Sequence, residues 1–347
     1  MSGVLNFGLG VDNIVWSNAN FQRLVNDRFN LTFSRQLPNQ IVAEITYFMN
    51  LGHNVAYSWN GNQMDPQIGY TNKSAIDVSV ANPLYQYLTS AKFPGSLRNQ
   101  KTVSLKTLLK QYPQYGGLWQ AYKSDGLERY KSLQIKVQRP FRGGYNFLVG
   151  YNYRREKSSQ FYDEVANYSG RLAYQDSSSG RQSLSIAGTY EFPFGKDRPH
   201  LQNLPRAVDG ILGGWQVIGA WYFNSGNYLR FGPMIATGDP ALPNPTPQKW
   251  FDTSKFAVLP AYTPRTNPWQ YPDVKGPIYW EVQGTLSKTF RITERVRTEL
   301  KVAAYNLTNR LNRADPPTTV TSSTFGQALR QNISNGRQLE LGLKILF

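Results

Sequence analysis

The sequence predicts an all-β fold, an antiparallel transmembrane β-barrel meander, present as about nine or ten strands of a larger barrel. Two observations lead to this prediction. Apolar and polar residues alternate with a strict period of two, as expected of strands that have one apolar and one polar face. The connections between these segments alternate in length, which is typical of a barrel with long extracellular loops and short periplasmic turns.

Alternating segments follow one another along the chain. Nine of them centre on residues 29–33, 41–49, 133–137, 147–153, 184–190, 215–223, 280–290, 296–304 and 339–347, and residues 3–11 form a weaker tenth. In the last segment, apolar residues occupy every second position from Leu339 to Phe347. Lys288 falls on the apolar side of its segment, close to the strand end, where a lysine can snorkel to a polar boundary.

The lengths of the connections distinguish between the two simplest interpretations of this alternation, a membrane barrel and a soluble sandwich. In chain order they are 37–39, 51–127, 139–144, 157–180, 193–213, 226–278, 291–294 and 309–335. Long and short connections alternate strictly, with the medium 193–213 in a short position. A soluble antiparallel sandwich also has half-buried alternating strands, but it has no reason to keep this order of loop lengths. Segments close to the 9–11 residues that cross a bilayer favour the barrel.

The composition excludes several functional classes. The 347 residues contain no cysteine and only two histidines, His53 and His200, so thiol catalysis, Cys-ligated zinc and disulfides are excluded and no metal site is expected. Phosphate-binding, zinc-protease and serine-hydrolase motifs are absent, and we expect neither enzymatic activity, catalytic residues nor a cofactor. A mean hydropathy of −0.49 disfavours a transmembrane helix but not a barrel. The first residues lack signal-peptide features, which indicates a cytoplasmic protein unless the chain belongs to a longer one.

The net charge of +16 admits three interpretations. Nucleic-acid binding is disfavoured, because the basic residues are spread over turns, strands and loops instead of forming one patch. Cations in the lumen and loops would attract anionic solutes and the phosphates of lipopolysaccharide. Alternatively, an acidic remainder of a longer protein balances the charge.

The 51–127 connection is the predicted ligand-contact region, because loops of this length usually carry function or are disordered. Its aromatic side chains could stack on sugars or hold apolar ligands, although packing of the loop against itself is the commoner explanation. The candidate residues are Tyr85, Tyr87, Tyr112, Tyr115 and Trp119. The second large loop, 226–278, carries Tyr262, Trp269 and Tyr271 and has the same two interpretations.

Several segments resemble the closing barrel region of TonB-dependent receptor-like proteins, in the subgroup that carries an upstream carboxypeptidase-regulatory-like domain. The similar segments are 81–85, 108–116, 190–195, 212–216, 251–257, 286–297, 304–309, 324–327 and 337–347. The resemblance implies a barrel of about 22 strands around a plug. Residues 1–26 resemble neither a plug nor a TonB box. We therefore expect residues 1–347 to be the C-terminal part of such a barrel, in which contact with TonB is unlikely.

The last residue, Phe347, ends an amphipathic strand and resembles the signal that the barrel-assembly machinery recognises; it could also be an ordinary packed terminus. The sequence thus predicts a segment of a receptor or transporter in the cell outer membrane, involved in substrate uptake or surface binding. Its expected partners are membrane lipid, lipopolysaccharide, the assembly machinery and an unidentified transported ligand, and not nucleic acid. The alternative is a soluble or secreted all-β carbohydrate-binding protein with aromatic loops.

Overall fold

A computed structural model describes residues 13–85, 96–160, 164–196, 198–293, 296–330 and 336–347. Most of its strands form one large sheet. The strands are β1 (Asn13–Ser17), β2 (Val25–Leu37), β3 (Ile41–Asn60), β4 (Ser79–Ala81), β5 (Thr102–Ser104), β6 (Gly117–Arg142), β7 (Tyr145–Gln160), β8 (Ala173–Asp176), β9 (Gln182–Glu191), β10 (Trp215–Asn224), β11 (Ile235–Ala236), β12 (Phe256–Ala257), β13 (Tyr279–Arg291), β14 (Arg297–Tyr305) and β15 (Gln338–Leu346). The α-helices are α1 (Pro66–Asn72), α2 (Leu105–Leu108), α3 (Glu164–Ser169) and α4 (Arg206–Leu212), and short 3-10 helices span Pro38–Gln40, Lys73–Asp77, Ser96–Asn99 and Thr253–Lys255.

The main sheet is an antiparallel meander, as the sequence predicts. Its neighbours follow the order β2-β3-β6-β7-β9-β10-β13-β14-β15, so each of the nine predicted strands pairs with the next one along the chain. Short strands β1 and β8 add to β6 and β7. Among the described residues β2 and β15 each pair on one side only, and the barrel is therefore partial and not closed. The weaker tenth segment, residues 3–11, lies outside the described part of the chain.

The alternation of connections gives the molecule two distinct ends. The long-loop end carries the connections after β3, β7, β10 and β14, and the short-turn end carries those after β2, β6, β9 and β13. We call residues 61–116 loop A and residues 225–278 loop B. The shortest turn, between β6 and β7, has Gly143 and Gly144 at positive φ (63° and 88°), a conformation that glycine adopts without a steric penalty.

One face of the sheet is apolar and uncovered by the described chain. Cross-strand pairing aligns Val217 with Leu286, Leu286 with Val302 and Val302 with Leu341, so the apolar rows continue from strand to strand. On the edge strand, Leu341 remains 77% exposed. A continuous exposed face of this kind is the lipid-facing surface of a barrel. The opposite face is polar: Glu44 pairs with Lys136 across β3 and β6, with 3.4 Å between Oε2 and Nζ.

The strands around loop A are longer than predicted. β3 continues to Asn60 and β6 begins at Gly117, so the predicted 51–127 connection is replaced by the shorter loop A. Register shifts beyond Gly52 interrupt the pairing of β3 with β6. A bulge shifts the alternation of faces, and the period-two pattern therefore cannot be followed through it. With 26 residues, β6 far exceeds the length that a bilayer requires, and it extends beyond the membrane at the long-loop end.

The largest hydrophobic core lies in the loops and not against the sheet. Loop B buries a cluster of aromatic and aliphatic side chains, which packs against Val320 and Phe325 of the connection after β14. The buried members are Leu229, Phe231, Met234, Phe251, Phe256, Tyr271 and Val274. Phe231 and Phe251 are fully buried with ring centroids 5.2 Å apart in edge-to-face geometry, an arrangement favoured for aromatic pairs.

Candidate functional site

A pocket of about 500 Å³ lies at the long-loop end, between loop A and loop B. Loop A supplies α1 and the two lysines Lys106 and Lys110, and loop B supplies residues 259–263. The lining consists of Asn60, Asn62, Gln63, Met64, Pro66, Gly69, Tyr70, Lys106, Lys110, Gly116, Leu259, Pro260, Ala261, Tyr262 and Thr263. Because both loops form its wall, the shape of the pocket depends on the contacts that hold them together.

Tyr262 is the residue through which loop B contacts loop A. Its hydroxyl donates to Asp77 Oδ1 and accepts a hydrogen bond from Lys106 Nζ, 3.2 Å away. Lys73 Nζ donates to its backbone oxygen at 2.9 Å. Tyr262 has a φ of 54°, in the left-handed region that non-glycine residues rarely adopt. These contacts with loop A hold an unfavourable backbone conformation at the pocket wall.

Helix α1 brings the loops close together. Asp65 caps its N-terminus by accepting from Gln67 N at 2.9 Å, and Pro66 occupies the first turn, where its lack of an N–H costs nothing. Gly69 is buried against loop B: a Cβ at this position would lie 2.9 Å from Tyr262 Cδ1 and 3.4 Å from Met64 Cε. The close approach of α1 to Tyr262 therefore favours a residue without a side chain.

Asn62 fixes the opposite wall of the pocket. Its side chain is 1% exposed. Its Nδ2 donates to the backbone oxygens of Tyr112 and Tyr115, both at 2.9 Å, and its Oδ1 accepts from Tyr112 N at 2.9 Å. One buried amide thus satisfies three backbone groups of the 112–115 turn. This turn leads directly to Gly116, where the wall meets β6.

The pocket wall is cationic. Lys106 and Lys110 lie in the described lining, and no Asp or Glu does. Lys110 Nζ donates to Gly116 O at 3.0 Å, and Lys106 Nζ lies 5.1 Å from the Tyr262 ring centroid. An ammonium group can donate three hydrogen bonds, so both lysines keep the capacity to bind an anionic or polar group. Tyr70 and Tyr262 supply aromatic surface beside them.

The four described residues among the five aromatic residues predicted as ligand contacts lie in different parts of the chain. Tyr112 and Tyr115 lie on the turn that Asn62 holds, and Tyr85 lies elsewhere in loop A. Trp119 is on strand β6 and not in a loop, which corrects its predicted position. Tyr87 lies outside the described residues. Their role in ligand binding stays a prediction.

The aromatic residues of loop B divide between packing inside the loop and lining the pocket. Tyr271 is buried in the loop core, and burial raises the pKa of its hydroxyl. Trp269 packs against the Arg265 guanidinium, 3.9 Å from the ring centroid. Tyr262 alone of these three lines the pocket. The sequence offers no signal that separates these roles, because the partner of Tyr262 lies in loop A and Lys73 precedes it by 189 residues.

The described residues contain neither a candidate metal site nor a helical membrane span. No three His, Asp or Glu side chains converge in the part of the chain that the structure describes. Within the same part, no helix is both long and apolar enough to cross a bilayer.

The meander and its exposed apolar face define a segment of a membrane-embedded β-barrel. The chain belongs to the outer membrane beta barrel domain family, whose model matches residues 5–340. This membership places the chain in the outer membrane and favours the barrel over the soluble alternative. No curated protein matches the sequence.

The solved structures that are similar to this chain include three outer-membrane transporters or receptors. The outer membrane transporter YddB from Escherichia coli has 8% identity and a TM-score of 0.46, over 96% of this chain and 34% of that one. The ferric-catecholate import receptor Fiu from E. coli K12 has 10% identity and a TM-score of 0.43, over 95% and 28%. The FrpB iron transporter from Neisseria meningitidis has 11% identity and a TM-score of 0.42, over 97% and 33%. The chain thus spans about a third of their length.

Proposed function

We propose that the chain is the C-terminal part of an outer-membrane receptor or transporter barrel, with loops A and B forming its ligand-binding surface. The observation that carries this proposal is the pocket between the two loops, with its cationic and aromatic wall. The motif resemblance to TonB-dependent receptor-like proteins supports a role in uptake, with a plug and energy coupling supplied by other parts of a longer protein. The proposal assigns no reaction to the chain.

In this proposal the long-loop end is extracellular and the short-turn end periplasmic. The natural chain contains no cysteine, so single cysteines can report the side of the membrane without background labelling. Asn244 is exposed in loop B, and Gln202 is exposed at the short-turn end. In intact cells we expect a membrane-impermeant maleimide to label Asn244→Cys, whereas Gln202→Cys requires permeabilisation of the outer membrane. The reverse pattern would refute the orientation and the ligand surface with it.

The ligand class follows from the pocket wall. Two lysines and two tyrosines favour a small ligand with an anionic group and a ring or sugar face. Suitable probes are an oligogalacturonate, which is anionic, and maltohexaose, which is neutral. We expect the purified chain to bind the anionic probe more tightly, and Lys106→Gln to weaken this binding. Equal binding of both probes, or no effect of Lys106→Gln, would exclude the cationic wall as the determinant.

A further inference from the structure

A second cavity, of about 900 Å³, lies at the short-turn end, opposite to loops A and B. We call it the rim cleft. Its described lining comes from residues 196 and 202–209, which follow β9, and from residues 291–293 and 297, at the ends of β13 and β14. In sequence, residues 192–214 and 291–297 hold six Lys or Arg residues against three Asp or Glu. The described lining contains four cations, Lys196, Arg206, Arg291 and Arg297, and one carboxylate, Asp209.

The described lining of the rim cleft is mostly cationic. Arg291 and Arg297 are cross-strand partners at the ends of β13 and β14, so the backbone places two basic residues opposite each other. Arg206 Nη2 donates to Ile292 O at 2.8 Å and joins the two walls. Asp209 Oδ1 already accepts from the backbone N of Lys196 at 2.7 Å. The described lining therefore favours an anionic group over a cationic one.

An exposed apolar surface borders the rim cleft. Helix α4 exposes Ile211 (69%) and Leu212 (43%), and Ile292 is 52% exposed on the opposite wall. Lys288, which is 3% exposed, fixes this arrangement: its Nζ donates to the backbone oxygens of Ile211, at 3.1 Å, and of Gly213. The C-terminal end of α4 is thereby held against β13. Apolar side chains and a cationic cavity meet along one edge, as at an amphipathic membrane interface.

We propose that the rim cleft binds the headgroup of an anionic phospholipid, with its acyl chains along α4 and the exposed apolar face. Cations next to a lipid-facing surface attract anionic headgroups, with a contribution from each Lys or Arg. A soluble anion would use the four cations but would have no use for the exposed side chains of α4. The adjoining apolar edge therefore favours a lipid. This site is independent of the ligand surface formed by loops A and B.

The test measures which lipid the purified chain retains. The chain is equilibrated with detergent micelles that contain equal amounts of phosphatidylglycerol and phosphatidylcholine, and the bound lipids are counted by native mass spectrometry. We expect preferential retention of phosphatidylglycerol. The variant Lys196→Gln/Arg297→Gln should reduce it by about tenfold or more. The matched control Lys101→Gln/Lys301→Gln removes the same charge from two exposed cations elsewhere and should change nothing.

Heat-modifiable electrophoretic mobility shows that each variant is folded before lipids are counted. Equal retention of both lipids by the natural chain would overturn the proposal. An equal loss of phosphatidylglycerol in both double variants would show that the preference depends on net charge and not on the rim cleft. Displacement of phosphatidylglycerol by millimolar inorganic phosphate would show a site for soluble phosphate and not for lipid. Failure of any of these tests leaves the ligand surface at the long-loop end unaffected.

Discussion

At the residue scale, two buried polar groups in the loops contrast with each other. Asn62 satisfies three backbone groups with one amide. Tyr271 instead buries a hydroxyl for which the described part of the chain offers no hydrogen-bond partner. Removing a buried group that satisfies several hydrogen-bond partners costs much folding stability. Removing a buried group that has no hydrogen-bond partner costs little. The two residues should therefore respond to substitution in opposite ways.

We expect Asn62→Ala to destabilise loop A by about 2–4 kcal/mol, because three backbone groups of the 112–115 turn lose their partner. Chymotrypsin should then cleave after Tyr115 while the sheet remains folded. Asn72→Ala is the matched control, since this exposed amide donates only to Ile68 O. Equal proteolysis of the two variants would show that the buried amide does not hold the turn.

We expect Tyr271→Phe to leave the unfolding free energy of loop B unchanged or slightly raised near neutral pH. Since burial raises the pKa of this hydroxyl, the folded loop loses stability relative to the unfolded chain as the pH rises from the ordinary pKa of 10.0 through the raised value. Tyr271→Phe should therefore lose less stability above pH 10 than the natural chain. Denaturant titrations at several pH values measure the difference, and a destabilised variant at neutral pH would contradict it. Phe231→Ala, which should cost about 3–5 kcal/mol, confirms that the titration reports on the loop core.

At the element scale, period-two alternation predicted the strands well and their ends poorly. All nine predicted strands are present in the predicted order, because each has a lipid-facing side whose apolar residues recur at every second position. The pattern fails beyond Gly52, where bulges shift the register of β3 against β6. The pocket was not predictable in detail, because its walls come from segments far apart in sequence.

The two faces of β15 should tolerate charge differently. Leu343 lies on the apolar face and pairs with Leu300, whereas Glu340 lies on the polar face opposite Ala303. We expect Leu343→Arg to cost about 2–4 kcal/mol of folding free energy in lipid vesicles, the cost of a cation near the bilayer midplane. Glu340→Arg should cost much less. Urea titration of the heat-modifiable band measures both, and equal effects would contradict a lipid-facing side at Leu343.

At the scale of the whole molecule, the main consequence of the fold is that its sheet has two edges. Open edges promote pairing with further strands, and a larger barrel would supply those strands. Phe347, 97% exposed, lies at the end of the β15 edge, where the proposed assembly signal would be accessible. Its recognition by the assembly machinery remains a prediction.

Paired cysteines test whether these edges meet. A disulfide requires Cα atoms within about 7 Å, so Gln36→Cys/Lys344→Cys, which joins β2 to β15, should not form one. Glu299→Cys/Lys344→Cys links cross-strand partners and is the matched positive control. Non-reducing electrophoresis with mild oxidation distinguishes the two. An efficient β2–β15 disulfide would show that the chain closes into a small barrel by itself.

The chain has two apolar regions that require different solvents: the aromatic core of loop B and the exposed face of the sheet. Phe231 and its neighbours are buried by other side chains of the loops, and water suffices to stabilise them. The face that carries Leu341 needs lipid or detergent instead. A detergent chosen for the sheet is therefore also a potential solvent for the loop core. We expect the mildest detergent that keeps the strands folded to be the one that preserves the loops.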